Sequence, residues 1–179
     1  MHGTAEMNII KAHGADTQRI AAFYEALIEK MRNHPYRPKW IKGVYPSYDD
    51  IRRHCIDGSF FLAVQHEQIL GAIAIVEGGD ENHGQIPWTT SAVPEEISTL
   101  HLLAVEPEMQ GRGIGFMLLK FAEDLCRHRG DTVIRLDTLP ENAPGNRLYR
   151  KCGYSLVATD TRFYGGMGSI DFNYYELPL

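Results

Sequence analysis

Leu102-Leu103-Ala104-Val105-Glu106-Pro107-Glu108-Met109-Gln110-Gly111-Arg112-Gly113-Ile114-Gly115 is the stretch on which the fold turns. An apolar run closes at Val105, Pro107 bends the chain, and three glycines lead into a helix. That helix carries Leu118, Phe121, Ala122 and Leu125 along one face. Glycine lets a backbone approach a ligand closely and enter left-handed conformations. The first-turn N–H groups of the helix have no intrahelical partner and lie at the positive end of its dipole, which suits a phosphate. Arg112 adds a charge-assisted contact. A glycine-rich turn that does no more than start a helix is the plainer alternative.

Two other phosphate loops do not fit. A P-loop ends in Gly-Lys-Ser/Thr, and no Lys follows Gly113 or Gly115. A dinucleotide fingerprint needs Gly-x-Gly-x-x-Gly, and Leu118 stands where its third glycine belongs.

Working outward, period-2 and period-3.6 patterns predict strands over 8–11, 60–65, 69–77, 96–105, 131–137, 155–162 and 170–177. Helices are predicted after Asp16, over 48–57 behind a Ser47 cap, over 113–129 and over 144–151. The first presents Ile20, Phe23, Tyr24, Leu27, Ile28 and Met31 on one face. The order β-α-α-β-β-β-α-β-α-β-β predicts an α/β fold, a mixed sheet of about seven strands with helices on both faces. Long loops over 33–46 and 78–95 collect the aromatic residues Tyr36, Trp40, Tyr45 and Trp88. Loops of such length inside a compact domain are commonly functional.

The 179 residues are read as one domain over 1–179, with a core of about 7–178. Residues 1–6 have no pattern and read as an appended remnant ahead of a start at Met7. A balance of 18 Lys+Arg against 23 Asp+Glu, a net charge of −5, argues against a nucleic-acid partner. No apolar run is long enough for a membrane span. Three cysteines without CxxC spacing exclude a disulfide framework and a cysteine zinc site, and His83 and His128 lack metal spacing. With no signal-peptide pattern, the cytoplasm is the expected location.

Gln110 to Gly115 matches the Gln/Arg-x-x-Gly-x-Gly/Ala loop of the GNAT family of N-acetyltransferases. Downstream, Asn142-Ala143-Pro144-Gly145-Asn146-Arg147-Leu148-Tyr149-Arg150-Lys151-Cys152-Gly153-Tyr154 is similar to that family's Asn-x-x-Ala-x-x-Leu-Tyr-x-x-x-Gly-Phe segment. It departs by Gly145 for Ala and Tyr154 for Phe. The order of elements agrees with the family over essentially the whole chain.

The resemblance implies acetyl-CoA as co-substrate, no metal, and acetyl transfer to a primary amine of a small molecule or peptide in a ternary complex. Gln110, Gly111, Arg112, Gly113, Ile114, Gly115 and Phe116 are then expected to hold the pyrophosphate. Leu103, Ala104 and Val105 pair with the pantetheine arm, and the Leu103 amide polarises the thioester carbonyl. Tyr149 stands where many relatives keep the general acid, and a packing tyrosine is the alternative. Asn142 and Asn146 are expected to hydrogen-bond the coenzyme, although Asn142 equally suits a helix cap. His101 alternates with Leu103 on one strand face, and an imidazole has the right strength to take an amine proton. Glu96, on the same strand, is the second candidate for the base.

Trp40, Tyr45, Trp88 and Tyr164 are the expected acceptor contacts, in keeping with an amine that has an apolar or aromatic body. Covering the core or a homodimer interface is the other use of such loops. Two further readings stand beside the enzyme of small amines: an acyl-CoA-binding sensor without turnover, and an acyltransferase for a protein lysine or N-terminal amine.

Overall fold

The computed structural model describes residues 6–164 and 168–179, apart from the side chain of Tyr164. Its strands are β1 (Asn8–Lys11), β2 (Phe60–Gln65), β3 (Gln68–Glu77), β4 (Ile97–Val105), β5 (Val133–Thr138), β6 (Ser155–Tyr164) and β7 (Gly168–Pro178). Its helices are α1 (Thr17–Lys30), α2 (Tyr48–Asp57), α3 (Ile114–Arg129) and α4 (Ala143–Lys151). The strands form one seven-stranded sheet in the order β1-β2-β3-β4-β5-β7-β6. The sheet is mixed: β4 and β5 run parallel, whereas β1–β2, β2–β3, β5–β7 and β6–β7 are antiparallel. Among the described residues no helix is long and apolar enough to cross a membrane.

By their contacts the residues divide into two compact units, one up to Ile75 with Leu102–Leu118, the other Val76–His101 with Leu119–Leu179. In the first unit, β2 and β3 meet through a two-residue turn whose His66 and Glu67 both have positive φ, the twist that a tight hairpin prefers. The strands expose two faces. On one, Phe60, Leu62, Ala72, Ala74, Leu102 and Ala104 form a core with Ile20, Phe23, Tyr24 and Leu27 of α1 and Ile51 and Cys55 of α2. On the other face the start of α3 lies against β3. A Cβ added to Gly71 would come within 3.0 Å of Ile114 Cγ2, Leu118 Cδ1 and the Ala104 carbonyl, so glycine there sets how closely the helix approaches.

Ser47 caps α2 as expected: its hydroxyl accepts from the Asp50 N–H at 3.1 Å and Asp50 accepts from the Ser47 N–H at 3.0 Å. Asp16 does not cap α1. A 3₁₀ turn over Gly14–Asp16 intervenes, and the Asp16 carboxylate accepts from the His13 N–H at 2.8 Å instead.

In the second unit, β5 and β7 carry different residues on their two faces, because side chains alternate along a strand. Asn173 and Tyr175 of β7 meet α4 through Asn146. Arg135, Asp137, Tyr174 and Glu176 point the other way and receive the loop between β3 and β4. Glu176, 1% exposed, accepts from the N–H groups of Thr89 and Thr90 and from the Thr89 hydroxyl. Arg135 donates to the Thr90 carbonyl at 2.9 Å and lies 4.5 Å from the Trp88 ring centre. The long loop is thereby held in place by buried charge and hydrogen bonds rather than by regular structure.

Candidate active site

The first unit supplies a cradle made of backbone. Gly111 and Gly113 have φ of 77° and 84°, conformations that cost any residue with a Cβ. Nothing lies within 4 Å of where a Cβ would stand on either. Residues 110–113 are exposed, Ile114 and Gly115 are buried, and the 16-residue α3 begins with Met117 N–H bonding to Gly113 at 3.0 Å. The amides of the first helical turn thus follow directly on two left-handed glycines, with the exposed Arg112 between them.

Leading into this cradle, β4 contains one extra residue. Its Ile97 carbonyl accepts from the Gly78 N–H, and its Glu106 N–H donates to the Leu70 carbonyl. Nine steps along β4 therefore match eight along β3, which is a bulge. Leu102, at φ 55°, is where it occurs, and the buried Tyr24 hydroxyl donates to the Leu102 carbonyl. The bulge changes which backbone groups face β3. On the other edge, the ladder with β5 runs from Ile97–Val133 to Leu100–Leu136 and stops. Leu103, Ala104 and Val105 have no rung with β5 among the described residues.

The second unit supplies a cluster made of side chains. His101 is half-buried on β4, with Nε2 3.5 Å from Asp80 Oδ2. Asp80 is itself fixed, since its Oδ1 accepts from the Asn82 N–H at 2.7 Å. His83, 3% exposed, bonds through Nε2 to Asp137 Oδ2 at 2.8 Å. Burial pushes the His101 imidazole below its usual range, and the carboxylates of Asp137 and Asp80 only partly oppose this. His101 is therefore neutral, with a lone pair available, at neutral pH.

Tyr149 lies on α4 with its ring against Tyr154 and Tyr175, at centroid distances of 6.0 and 5.7 Å. Its hydroxyl makes no hydrogen bond among the described residues. Burial, reinforced by the nearby Asp137 charge, raises the phenol well above its usual range, so the hydroxyl keeps its proton.

Asn146 is engaged within the protein. Its Oδ1 accepts from Asn173 at 2.9 Å and Tyr175 at 2.7 Å, while its Nδ2 donates to the carbonyls of Leu139 and Asn142 at 2.9 and 2.7 Å. With its amide satisfied inside the protein, Asn146 joins α4 to β7 and has little left to offer a coenzyme. Asn142 takes the capping role: Oδ1 accepts from the Gly145 N–H at 3.1 Å.

Glu96 is not brought to His101. It closes the 3₁₀ turn Pro94–Glu96 ahead of the paired end of β4, with four strand steps of about 13 Å between Ile97 and His101, and its carboxylate accepts from the Val93 N–H at 3.3 Å. Trp40 and Tyr45 both belong to the first unit, where Trp40 packs edge-on against Tyr24 at 5.3 Å and Tyr45 pairs with Ile41. Trp88 belongs to the second; its indole N–H donates to the His83 carbonyl at 3.1 Å, so it walls the cluster. The side chain of Tyr164 lies outside the described residues. Cys126 is fully buried and its thiol is pushed up to about 12 by burial, which removes it as a nucleophile. Sequence reasoning missed His83 and Asp137. Polar residues at matching positions of β4 and β5 signalled Asp137, and nothing local signalled His83.

A model of the acetyltransferase (GNAT) family matches residues 21–154, three quarters of the chain. The chain belongs to that family. Streptothricin acetyltransferase of Streptomyces lavendulae is 34% identical over 71 residues, 40% of this chain and 38% of that protein. Mycothiol acetyltransferase of Cellulomonas flavigena is 30% identical over 105 residues, 58% of this chain and 28% of that protein. The chain thus matches well under half the length of either relative.

In fold, it is similar to a GNAT-family acetyltransferase of Listeria monocytogenes (TM-score 0.74, 19% identity, 100% of this chain and 98% of that one). It is also similar to yncA of Salmonella typhimurium, whose structure was solved with its cofactor acetyl-CoA (TM-score 0.68, 18% identity, 98% and 95% covered). The residues present suit that GNAT co-substrate: amides at a helix N-terminus suit a diphosphate, and strand backbone that has no rung with β5 suits an extended amide-bearing arm.

Proposed function

We propose that the protein is an acetyl-CoA-dependent N-acetyltransferase that acts on a primary amine of a small molecule by direct transfer. The observation that carries this reading is the pair of left-handed glycines feeding the N-terminus of α3, beyond a strand whose ladder with β5 ends at Leu100. When bound, acetyl-CoA supplies an acyl group activated as a thioester. Backbone N–H groups of residues 111–115, with the Arg112 guanidinium, hold the diphosphate. Leu103 to Val105 pair with the pantetheine amides, and the Leu103 N–H donates to the thioester oxygen, an interaction that strengthens as charge develops there. His101, neutral at pH 7, takes the proton of the acceptor amine. Tyr149 donates from its hydroxyl to the departing sulfur. Glu96 is left out on grounds of distance.

The names of the relatives, streptothricin and mycothiol acetyltransferase, favour a small-molecule acceptor over a protein lysine. A Tyr149 hydroxyl uncommitted among the described residues favours turnover over a sensor role. Calorimetry with acetyl-CoA, followed by thiol release over a panel of amines, tests the reading. Saturable coenzyme binding and release with one class of amine are expected; absence of binding to any CoA species ends it.

A further inference from the structure

The face of the second unit that bears His101 also holds His83 and Asp137, which the proposed transfer leaves unused. Asp137 follows directly on Leu136, the last β5 residue paired with β4, and so takes the register place opposite His101 where the ladder gives out. Residues opposite one another in a ladder share a face of the sheet, and Thr99 and Arg135 form the preceding pair on this face. One Asp137 oxygen is held by His83 at 2.8 Å. His83 is held in turn: its ring lies 5.4 Å from both the Trp88 and the Tyr174 ring, and its carbonyl accepts the Trp88 indole N–H. The imidazole is buried between two aromatic rings, and it holds one oxygen of the carboxylate. The other Asp137 oxygen makes no hydrogen bond among the described residues.

We infer that Asp137, fixed by His83, is a positioning residue for proton transfer: with Asp80 it steadies the imidazolium that forms when His101 takes a proton from the acceptor amine. In that step an N–H bond of the amine breaks, its electron pair stays on the amine nitrogen, and the proton joins an imidazole nitrogen before passing to water. The inference rests on the reading of His101 as the base. The titratable groups acting on His101 are Asp137 from β5 and Asp80 and His83 from the loop, and the Asp137 charge also reaches Tyr149 of α4. Without the two carboxylates, burial alone would hold the imidazole lower still. They return part of its basicity at the place where the proton arrives.

The test is an NMR titration of the His101 ring in the full, ligand-free chain, compared with the acid limb of kcat/KM. Asp137→Asn keeps the shape and removes the charge. Its His101 midpoint is expected to fall by about one pH unit, with the acid limb moving down alongside. His83→Phe keeps the ring but not the donor, and is expected to shift the midpoint the same way by less, with His83→Gln restoring it. A midpoint unmoved in Asp137→Asn overturns the inference while leaving the base reading intact. A midpoint that moves while the kcat/KM limb stays put overturns His101 as the base, and the positioning role with it. A His83→Phe chain that titrates like wild type overturns the part given to His83.

Discussion

The cradle and the proposed acid–base cluster are built from opposite materials. The cradle is backbone: consecutive residues, exposed, with glycine where φ is positive and one arginine. The cluster is side chain: His83 and Asp137 lie 54 residues apart, half or wholly buried, and hold each other. A backbone site recognises a charge that every member of its ligand class carries, and it tolerates changes that spare φ. A side-chain site sets proton affinities, and one atom lost changes what it can do. Variants of the cradle are therefore expected to alter affinity at constant turnover, and variants of the cluster to alter turnover and its pH profile at constant coenzyme affinity.

The largest effect is expected from Tyr149→Phe. The ring contacts to Tyr154 and Tyr175 remain, and only a hydroxyl without a hydrogen-bond partner among the described residues is lost. Stopped-time assays are expected to show kcat reduced by roughly 10²–10⁴-fold, while calorimetry returns the wild-type affinity for CoA. If affinity drops as far as kcat does, Tyr149 belongs with the cradle and the division between the two regions breaks. His101→Gln comes next, at about a hundredfold. Because burial lowers the imidazole, the wild-type acid limb lies below its ordinary value of about 6.5 and activity persists into mildly acidic buffer. That limb is expected to vanish in the variant; a profile that keeps it assigns the limb to another group.

The same contrast decides what could be read from the sequence. The cradle was legible because its chemistry is local: Gln110 to Gly115 contains the turn, the helix start and the charge in six consecutive residues. The strands and helices were legible for a similar reason, since apolar period and caps are local signals. Every predicted element appears, with ends shifted by about two or three residues at most where a turn tightened the terminus, as in the Gly14–Asp16 turn that displaced the cap of α1. The cluster was legible only in part. His101 and Tyr149 lie on regular elements whose faces can be counted. His83 lies in a loop whose path is set by Glu176 and Arg135, residues far along the chain, so nothing near it signals its burial. Asn146 lies in a family motif, yet nothing near it signals the bonds it accepts from Asn173 and Tyr175 of β7.

Two smaller effects sharpen the cradle side. Gly113→Val places a branched side chain at φ 84°. The cost of about 1–2 kcal/mol for a left-handed residue is expected to appear as weakening of CoA binding on the order of tenfold, with kcat at saturation unchanged. A loss of kcat without a change in affinity would mean that the turn positions the reaction rather than the anion. Tyr24→Phe leaves the Leu102 carbonyl buried without its donor, and urea denaturation is expected to show a loss of about 1–3 kcal/mol. Because a trans peptide is planar, the Leu102 oxygen and the Leu103 N–H point in opposite directions, so releasing one frees the other. A measurable fall in kcat is therefore expected beside the lost stability, with CoA affinity retained. Stability lost with kcat intact would separate the bulge from catalysis.

The smallest effect separates charge from backbone within the cradle itself. Arg112 is exposed, and a guanidinium in water contributes little to holding an anion, about 1 kcal/mol or less. Arg112→Gln is expected to raise the dissociation constant for CoA by about two- to fivefold. The difference between the two proteins is then expected to shrink as salt is raised, because ionic screening shortens the reach of an exposed charge to about 8 Å at physiological strength. The contribution of the helix amides is a set of short hydrogen bonds and is expected to survive that titration. Calorimetry of both proteins across a salt series reads the two parts separately. Convergence of the two curves onto a shared, still measurable affinity assigns the remainder to the backbone. A parallel loss of all binding in both would mean that long-range charge, rather than amides at a helix end, holds the coenzyme.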